Sequence, residues 1–540
     1  MNVRTGEFVL VVTLGGVAAA GFAQPRIAWS DRFDGPDRGE DVAYHMTVDG
    51  AGNVYVLGTT ATPDTDDDII VIKYDRGGRI AWFYQYDGPG HGEDVAIPIF
   101  LDEEGNVYVA GWSYGGPETQ RDMVTIKIGP DGQEVWAARY NGPANRDDYL
   151  YGVHAIALDE DGHVYVIGNS VGSSGYYEAV TLKYDADGTE SWVHRRVGPP
   201  NTHAFGWALA LSDSDEVYVA GDGRNPNTNS ADVTLVQYDV DGNFNWINYY
   251  DGAGGSDDGP YDMEMGPAGD LYVVGISRNV GGDIDAATWK VAPDGQLIWD
   301  AYFDAASGPE YAFDLEVGDD GSVTTVGSLN DRWGNQDTLT LRYDTNGQLL
   351  WMRTFDHPNW FGKDELFYVQ LGSDGSVYVI GESWNGWNDG INAIAIKYLP
   401  DGTQDWLYEY NSPGSGDDAF FSLAVDGFDN VYTTGVSLGE GRTADVITFK
   451  LVQNDCSGLE RISSVRCKAK GGKGKATVKL DGGVPNDPFE VQLDSGPQAG
   501  GSLNGKGKAK VKFKDLPLGQ DTATATWPCG ARDARAFECG

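Results

Sequence analysis

Cysteine is missing from the first 455 residues of this 540-residue chain; Cys456, Cys467, Cys529 and Cys539 all fall in the last stretch. The body therefore holds no disulfide, and two disulfides are expected in the tail, in any of three pairings. A zinc centre there would lack the closely spaced cysteine pairs such sites use.

Positive charge is also scarce. The chain has 38 Lys+Arg against 82 Asp+Glu, a net charge of -44. From Cys456 onward there are 14 basic and 9 acidic residues, so the body stands near -49 and the tail near +5. So acidic a body repels nucleic acid and anionic membrane, which leaves cations, neutral glycans or basic protein surfaces as partners.

Long apolar runs are absent too. The run from Phe8 to Ala20 follows Arg4 and precedes small residues at Gly21 and Ala23. It is too short to span a bilayer and reads as a secretory signal over residues 1–23, cleaved after Ala23, with no transmembrane segment. No Cys follows to anchor a lipid. The expected destination is the outside of the cell, its surface or the periplasm. Histidine is sparse as well, with 7 residues and no His-x-x-x-His pair to suggest zinc.

What is abundant is glycine (75 residues) together with aromatics (12%), the composition of many short strands joined by tight turns. Tryptophan recurs at Trp29, Trp82, Trp136, Trp192, Trp246, Trp299, Trp351 and Trp406, at intervals between 52 and 56 residues. Each period repeats four short segments, as in Asp94 to Leu101, Asn106 to Gly111, Met123 to Ile128 and Glu134 to Tyr140. The second, as in Val54-Tyr55-Val56, Val107-Tyr108-Val109, Val164-Tyr165-Val166 and Val217-Tyr218-Val219, is apolar throughout and suits a strand buried on both faces. The third carries Lys73-Tyr74 or Lys183-Tyr184, followed by Asp/Gly turns such as Asp185 to Gly188. Four antiparallel strands repeated around a circle define a β-propeller. Both the Val-Tyr-Val and the Trp segments occur eight times, but the first Trp segment, Arg26 to Trp29, precedes every other strand. Residues 24–453 are thus expected to form an all-β, eight-bladed β-propeller of four-stranded blades, closed by an amino-terminal strand that completes the last blade. Alternating Lys and apolar residues from Lys506 to Lys514 place a small disulfide-bonded β-sandwich over 454–540.

The pattern Asp102 to Gly105, Val107-Tyr108-Val109, Gly111, Lys127 and Trp136 resembles the seven-bladed β-propeller repeats of secreted bacterial proteins. That resemblance implies an extracellular interaction scaffold, although eight blades are counted here. The segment from Asp185 to Trp192 is also similar to the tryptophan-docking repeats of pyrroloquinoline-quinone dehydrogenases. Many of those enzymes carry a vicinal disulfide at the cofactor, which a cysteine-free body does not supply.

On one propeller face the loops vary, and two kinds of candidate residue fall there. Trp112, Tyr114, Tyr176, Tyr177, Trp333, Trp384 and Trp387 have the chemistry that stacks on sugars or seats a protein partner. Asp41, Asp94, Asp148, Asp258 and Asp418 each lie twelve residues after a blade tryptophan. These carboxylates have the donor chemistry for Ca2+, or for closing turns within their own blades, and their recurrence favours the turns. Gly111-Trp112-Ser113-Tyr114-Gly115 matches a nucleophile-elbow pattern, yet Gly168 to Gly172 and Gly435 to Gly439 match it at the same repeat position, which marks a loop consensus. The expectation is a secreted, non-catalytic scaffold binding an extracellular glycan or protein, with no confident cofactor. A quinoprotein-like or other cofactor-dependent enzyme and a purely structural cell-surface protein are the alternatives.

Overall fold

Within each repeat the strands alternate with turns whose glycines adopt positive φ, so consecutive strands pair as antiparallel hairpins. The computed structural model describes residues 24–539 except 37, 64–65, 253, 306–307, 332, 358–361, 387–389, 414–415, 439–442, 454–460, 471–472, 482–487, 505 and 527–531. The expected signal segment 1–23, Trp387, Cys456 and Cys529 lie outside the described residues. All regular elements among those described are β-strands, and no helix is long and apolar enough to cross a membrane.

Strand β1 (Arg26–Phe33) is followed by β2 (Asp41–Val48), β3 (Val54–Thr62), β4 (Asp66–Tyr74) and β5 (Ile80–Tyr86), and the last four form blade 1 in that order. Blades 2 to 7 repeat this over 94–140, 148–196, 204–250, 258–303, 310–353 and 364–410. Blade 8 consists of Asp418–Val425, Val431–Leu438 and Ala444–Val452, and β1 is its outermost strand, running antiparallel to the third. Inner strands of successive blades touch all the way round, and the inner strand of blade 8 meets β2. The ring is closed, and the expected eight blades and closing strand are what the chain forms.

Two contacts explain the repeat motif. In blades 1, 2 and 5 the outer-strand tryptophan donates its indole N–H to a carbonyl in the next blade's outer turn: Trp82 to Pro130 (3.0 Å), Trp136 to Ala186 (3.1 Å), Trp299 to Thr345 (3.0 Å). The glycine of that turn needs both its positive φ (81° at Gly132) and its missing side chain, because a Cβ there would sit 2.8 Å from the Trp82 ring. Trp29 of β1 docks on blade 1 in the same way, through Arg76 O (3.2 Å) and Gly78. Inside six of the blades the Lys ammonium lies over the Tyr ring of the second strand, at 4.7 Å for Lys73 and Tyr55 and 4.9 Å for Lys127 and Tyr108. The remaining core is aliphatic and buried between neighbouring sheets, with Tyr55, Leu57, Val71, Val109 and Ile126 together between blades 1 and 2.

The tail forms two sheets, one of three strands and one of four, that share a core including Ile462, Val478, Leu480, Val491, Phe513 and Ala525. The strand Lys473–Asp481 alternates exposed and buried side chains, as the lysine periodicity requires. Cys467 and Cys539 form a disulfide between the two sheets.

Candidate functional site

The inner strand of each blade carries the positions that face the axis. In blade 3 this strand is broken into Asp148–Tyr149 and Ile156–Leu158, and the intervening chain turns on Gly152. The break leaves Tyr149 and Tyr151 facing the loops of the neighbouring blades. Tyr151 meets Trp112 of blade 2 (ring centroids 5.3 Å) and Tyr149 (4.7 Å), and Tyr149 meets Tyr177 (5.4 Å). Tyr177 continues to His203 (5.5 Å) and Phe205 (5.6 Å) of blade 4; His203 also meets Tyr176 (5.2 Å), and Phe205 meets Trp207 (6.4 Å). Eight rings from three blades thus touch in sequence. Trp112 is the buried end of the array, at 7% exposure, whereas Tyr151 is 46% exposed and His203 is also exposed.

Beside the buried end lies a shallow cavity of about 440 Å3, lined by Asp66, Glu93, Tyr114, Gln120, Arg121 and Asp147. The Arg121 guanidinium reaches both parts: it pairs with Glu93 and lies 6.0 Å from the Trp112 ring centroid. Aromatic faces adjoining fixed hydrogen-bonding groups are thereby assembled on the loop side of blades 1 to 4.

Four of the seven aromatic residues singled out by sequence, Trp112, Tyr114, Tyr176 and Tyr177, belong to this region. Trp333 lies away from it in blade 6 and is 74% exposed, and Trp384 in blade 7 is half-buried. Missed were Tyr149, Tyr151, His203, Phe205 and Trp207, which lie in or beside the inner strands of blades 3 and 4. Aligning the blades offers a signal: Tyr149 and Phe205 stand where blades 1, 5 and 8 have Val42, Gly259 and Ala419.

The carboxylates Asp41, Asp94, Asp148, Asp258 and Asp418 open the inner strands and are buried. Each accepts the backbone N–H of the residue six before it: Gly35 (2.6 Å), Gly88 (2.5 Å), Gly142 (2.5 Å), Gly252 (2.7 Å) and Ser412 (2.6 Å). They clamp the loop joining one blade to the next. Burial outweighs these hydrogen bonds and pushes Asp94 and Asp148 up to about 6. Several also gather with other acids, as in Asp68, Asp87 and Asp94, whose carboxylate oxygens lie within 4.8 Å of one another.

A second polar group occupies the axis. His154 Nδ1 of blade 3 lies 2.6 Å from Asp262 Oδ1 of blade 5, and His45 Nε2 of blade 1 lies 3.3 Å from the Tyr368 hydroxyl of blade 7. Each pair skips an intervening blade, so the side chains meet in the channel. Burial drives His45 down to about 3. It opposes charge on His154 as well, but the Asp262 carboxylate outweighs it and holds that imidazole up at about 10. Burial raises Glu264 to about 7, Glu316 to about 8 and Asp314 well above the usual carboxylate range.

The fold and these sites define an eight-bladed β-propeller with a one-sided aromatic array and a titratable channel. No protein-family model matches the chain, and no curated protein is similar to it in sequence. Among solved structures, it is similar to a protein of unknown function from Bacteroides caccae (12% identity over 53% of this chain and 90% of that one, TM-score 0.31). It is also similar to a family-25 polysaccharide lyase, an ulvan lyase (11%, 71% and 96%, 0.40), and to a puromycin-hydrolysing peptidase of Mycobacterium tuberculosis (13%, 82% and 59%, 0.39). The expectation of a non-catalytic chain is corrected by this finding, since enzymes stand among the structures resembling it. The physical reason is that the absence of a local motif excludes little in a propeller. His154, Asp262 and Asp314 are far apart in sequence and belong to three blades, yet they converge.

Proposed function

We propose that the protein is an exported carbohydrate-binding propeller that seats a neutral glycan on the aromatic array of blades 2 to 4. The observation that carries this reading is the run of eight touching rings from Trp112 to Trp207, partly exposed and bordered by the polar cavity at Tyr114. Flat apolar faces take the C–H surface of a sugar while neighbouring carboxylates, amide and guanidinium take its hydroxyls. The body charge near -49 disfavours anionic polysaccharides and favours uncharged ones. Export is supported by the apolar run at Phe8 to Ala20 and by the Cys467–Cys539 disulfide, a bond characteristic of oxidising compartments.

A glycan array probed with the chain from residue 24 onward, followed by calorimetry on the best ligand, tests the reading. Tyr151→Ala and Tyr177→Ala are each expected to weaken binding by about 1–2 kcal/mol, roughly 5- to 30-fold. Trp333→Ala, equally aromatic but in blade 6, should leave it unchanged. Retention of no neutral glycan, or equal losses in all three variants, would overturn the assignment.

A further inference from the structure

We propose that His154, Asp262 and Asp314 form a binding site for one first-row divalent cation, of which Zn2+ is representative, on the propeller axis. One donor atom from each residue lies within 4.8 Å of the other two. The inner-strand break in blade 3 is what allows His154 to reach this point, and its own carbonyl is tied to Leu209 N–H of blade 4 (2.8 Å). Asp262 Oδ1 faces the imidazole, and Asp314 Oδ2 accepts the N–H of Val369 (2.7 Å).

The other two oxygens carry the inference. Asp262 Oδ2 and Asp314 Oδ1 are buried without a hydrogen-bond partner, on side chains only 2% and 3% exposed. A buried carboxylate oxygen is ordinarily satisfied, and two buried carboxylates that each keep an unpaired oxygen beside one imidazole offer the donor set of a metal centre. A divalent cation supplies both oxygens with the partner they lack. The mixed nitrogen and oxygen donors select a borderline metal over Ca2+, which takes oxygen ligands alone. The acidic clusters on the loop face differ in their donor set: Asp41, like Asp314, pairs one oxygen with a backbone N–H and leaves the other without a partner, but the groups around Asp41 and Asp94 hold carboxylates alone and no imidazole.

The test is Zn2+ calorimetry on the chelator-treated, disulfide-intact chain, read alongside thermal melting. One equivalent should bind and raise the melting temperature. Asp262→Asn and Asp314→Asn should each lose at least tenfold in Zn2+ affinity, while Asp41→Asn retains it. Asp314→Asn keeps the shape and can still accept the Val369 N–H, so in chelator it should melt close to the parent, which separates loss of the site from loss of the fold; Asp262→Asn also removes the partner of the His154 imidazole and should melt lower. Absence of Zn2+ uptake, undiminished affinity in Asp314→Asn, or tighter binding of Ca2+ than of Zn2+ would each overturn the proposal.

Discussion

At the scale of single residues, the seam between blades is decided by one glycine and one indole. Gly132 combines a φ of 81° with a Cβ position 2.8 Å from Trp82, so Gly132→Ala has to pay backbone strain and move the ring at once. A loss of about 1–3 kcal/mol in urea unfolding is expected. Trp82→Phe, which keeps most of the apolar contact but loses the bond to Pro130 O, should cost about 1 kcal/mol in the same assay. These positions were legible because every blade repeats them. The axial group was not, because it differs between blades. His45, Ala208, Asp262, Asp314, Tyr368 and Ser422 stand at matching places after the inner-strand bulge, so no consensus marks Asp262 and Asp314, and His154 lies in the break of blade 3. The pairs Asp262-Met263-Glu264 and Asp314-Leu315-Glu316 were the available clue: carboxylates at positions that are otherwise small or apolar in blade 4.

At the scale of elements, β1 closes blade 8 through backbone pairing with Ala444–Val452 and through Arg32, which bonds the Asp445 carboxylate and the Ser437 hydroxyl and carbonyl. Deleting residues 24–34 would strip the last blade of its outer strand and bare a new edge. The truncated chain should melt lower than the parent and self-associate in sedimentation velocity. In the tail, the Cys467–Cys539 bond closes a loop of 72 residues, so replacing both with Ser should cost about 4 kcal/mol, read from the tail's own unfolding transition. Strand number and order were readable from periodicity alone. The break in the inner strand of blade 3 was not, because Leu150, Ala155 and Ile156 keep the apolar spacing of an inner strand while Gly152 turns the chain.

For the molecule as a whole, stability should depend on pH in a direction set by its buried acids. Burial lifts Glu310 to about 8 and Asp337 to about 7, against ordinary values near 4.5 and 3.8. A carboxyl raised on folding favours the native state below its ordinary value, and that advantage disappears as pH climbs through the raised one. The melting temperature should therefore fall between about pH 5 and pH 8, and Glu310→Gln should flatten the upper part of that decline. The uneven distribution of charge adds repulsion over the same range, which moderate salt should relieve. The closing seam has a consequence in time. Arg32 and Asp445 are 413 positions apart, so β1 is made long before the strand it pairs with. The ring cannot be latched until the eighth blade has emerged, and an interrupted chain keeps a free strand at one end and an unfilled edge at the other.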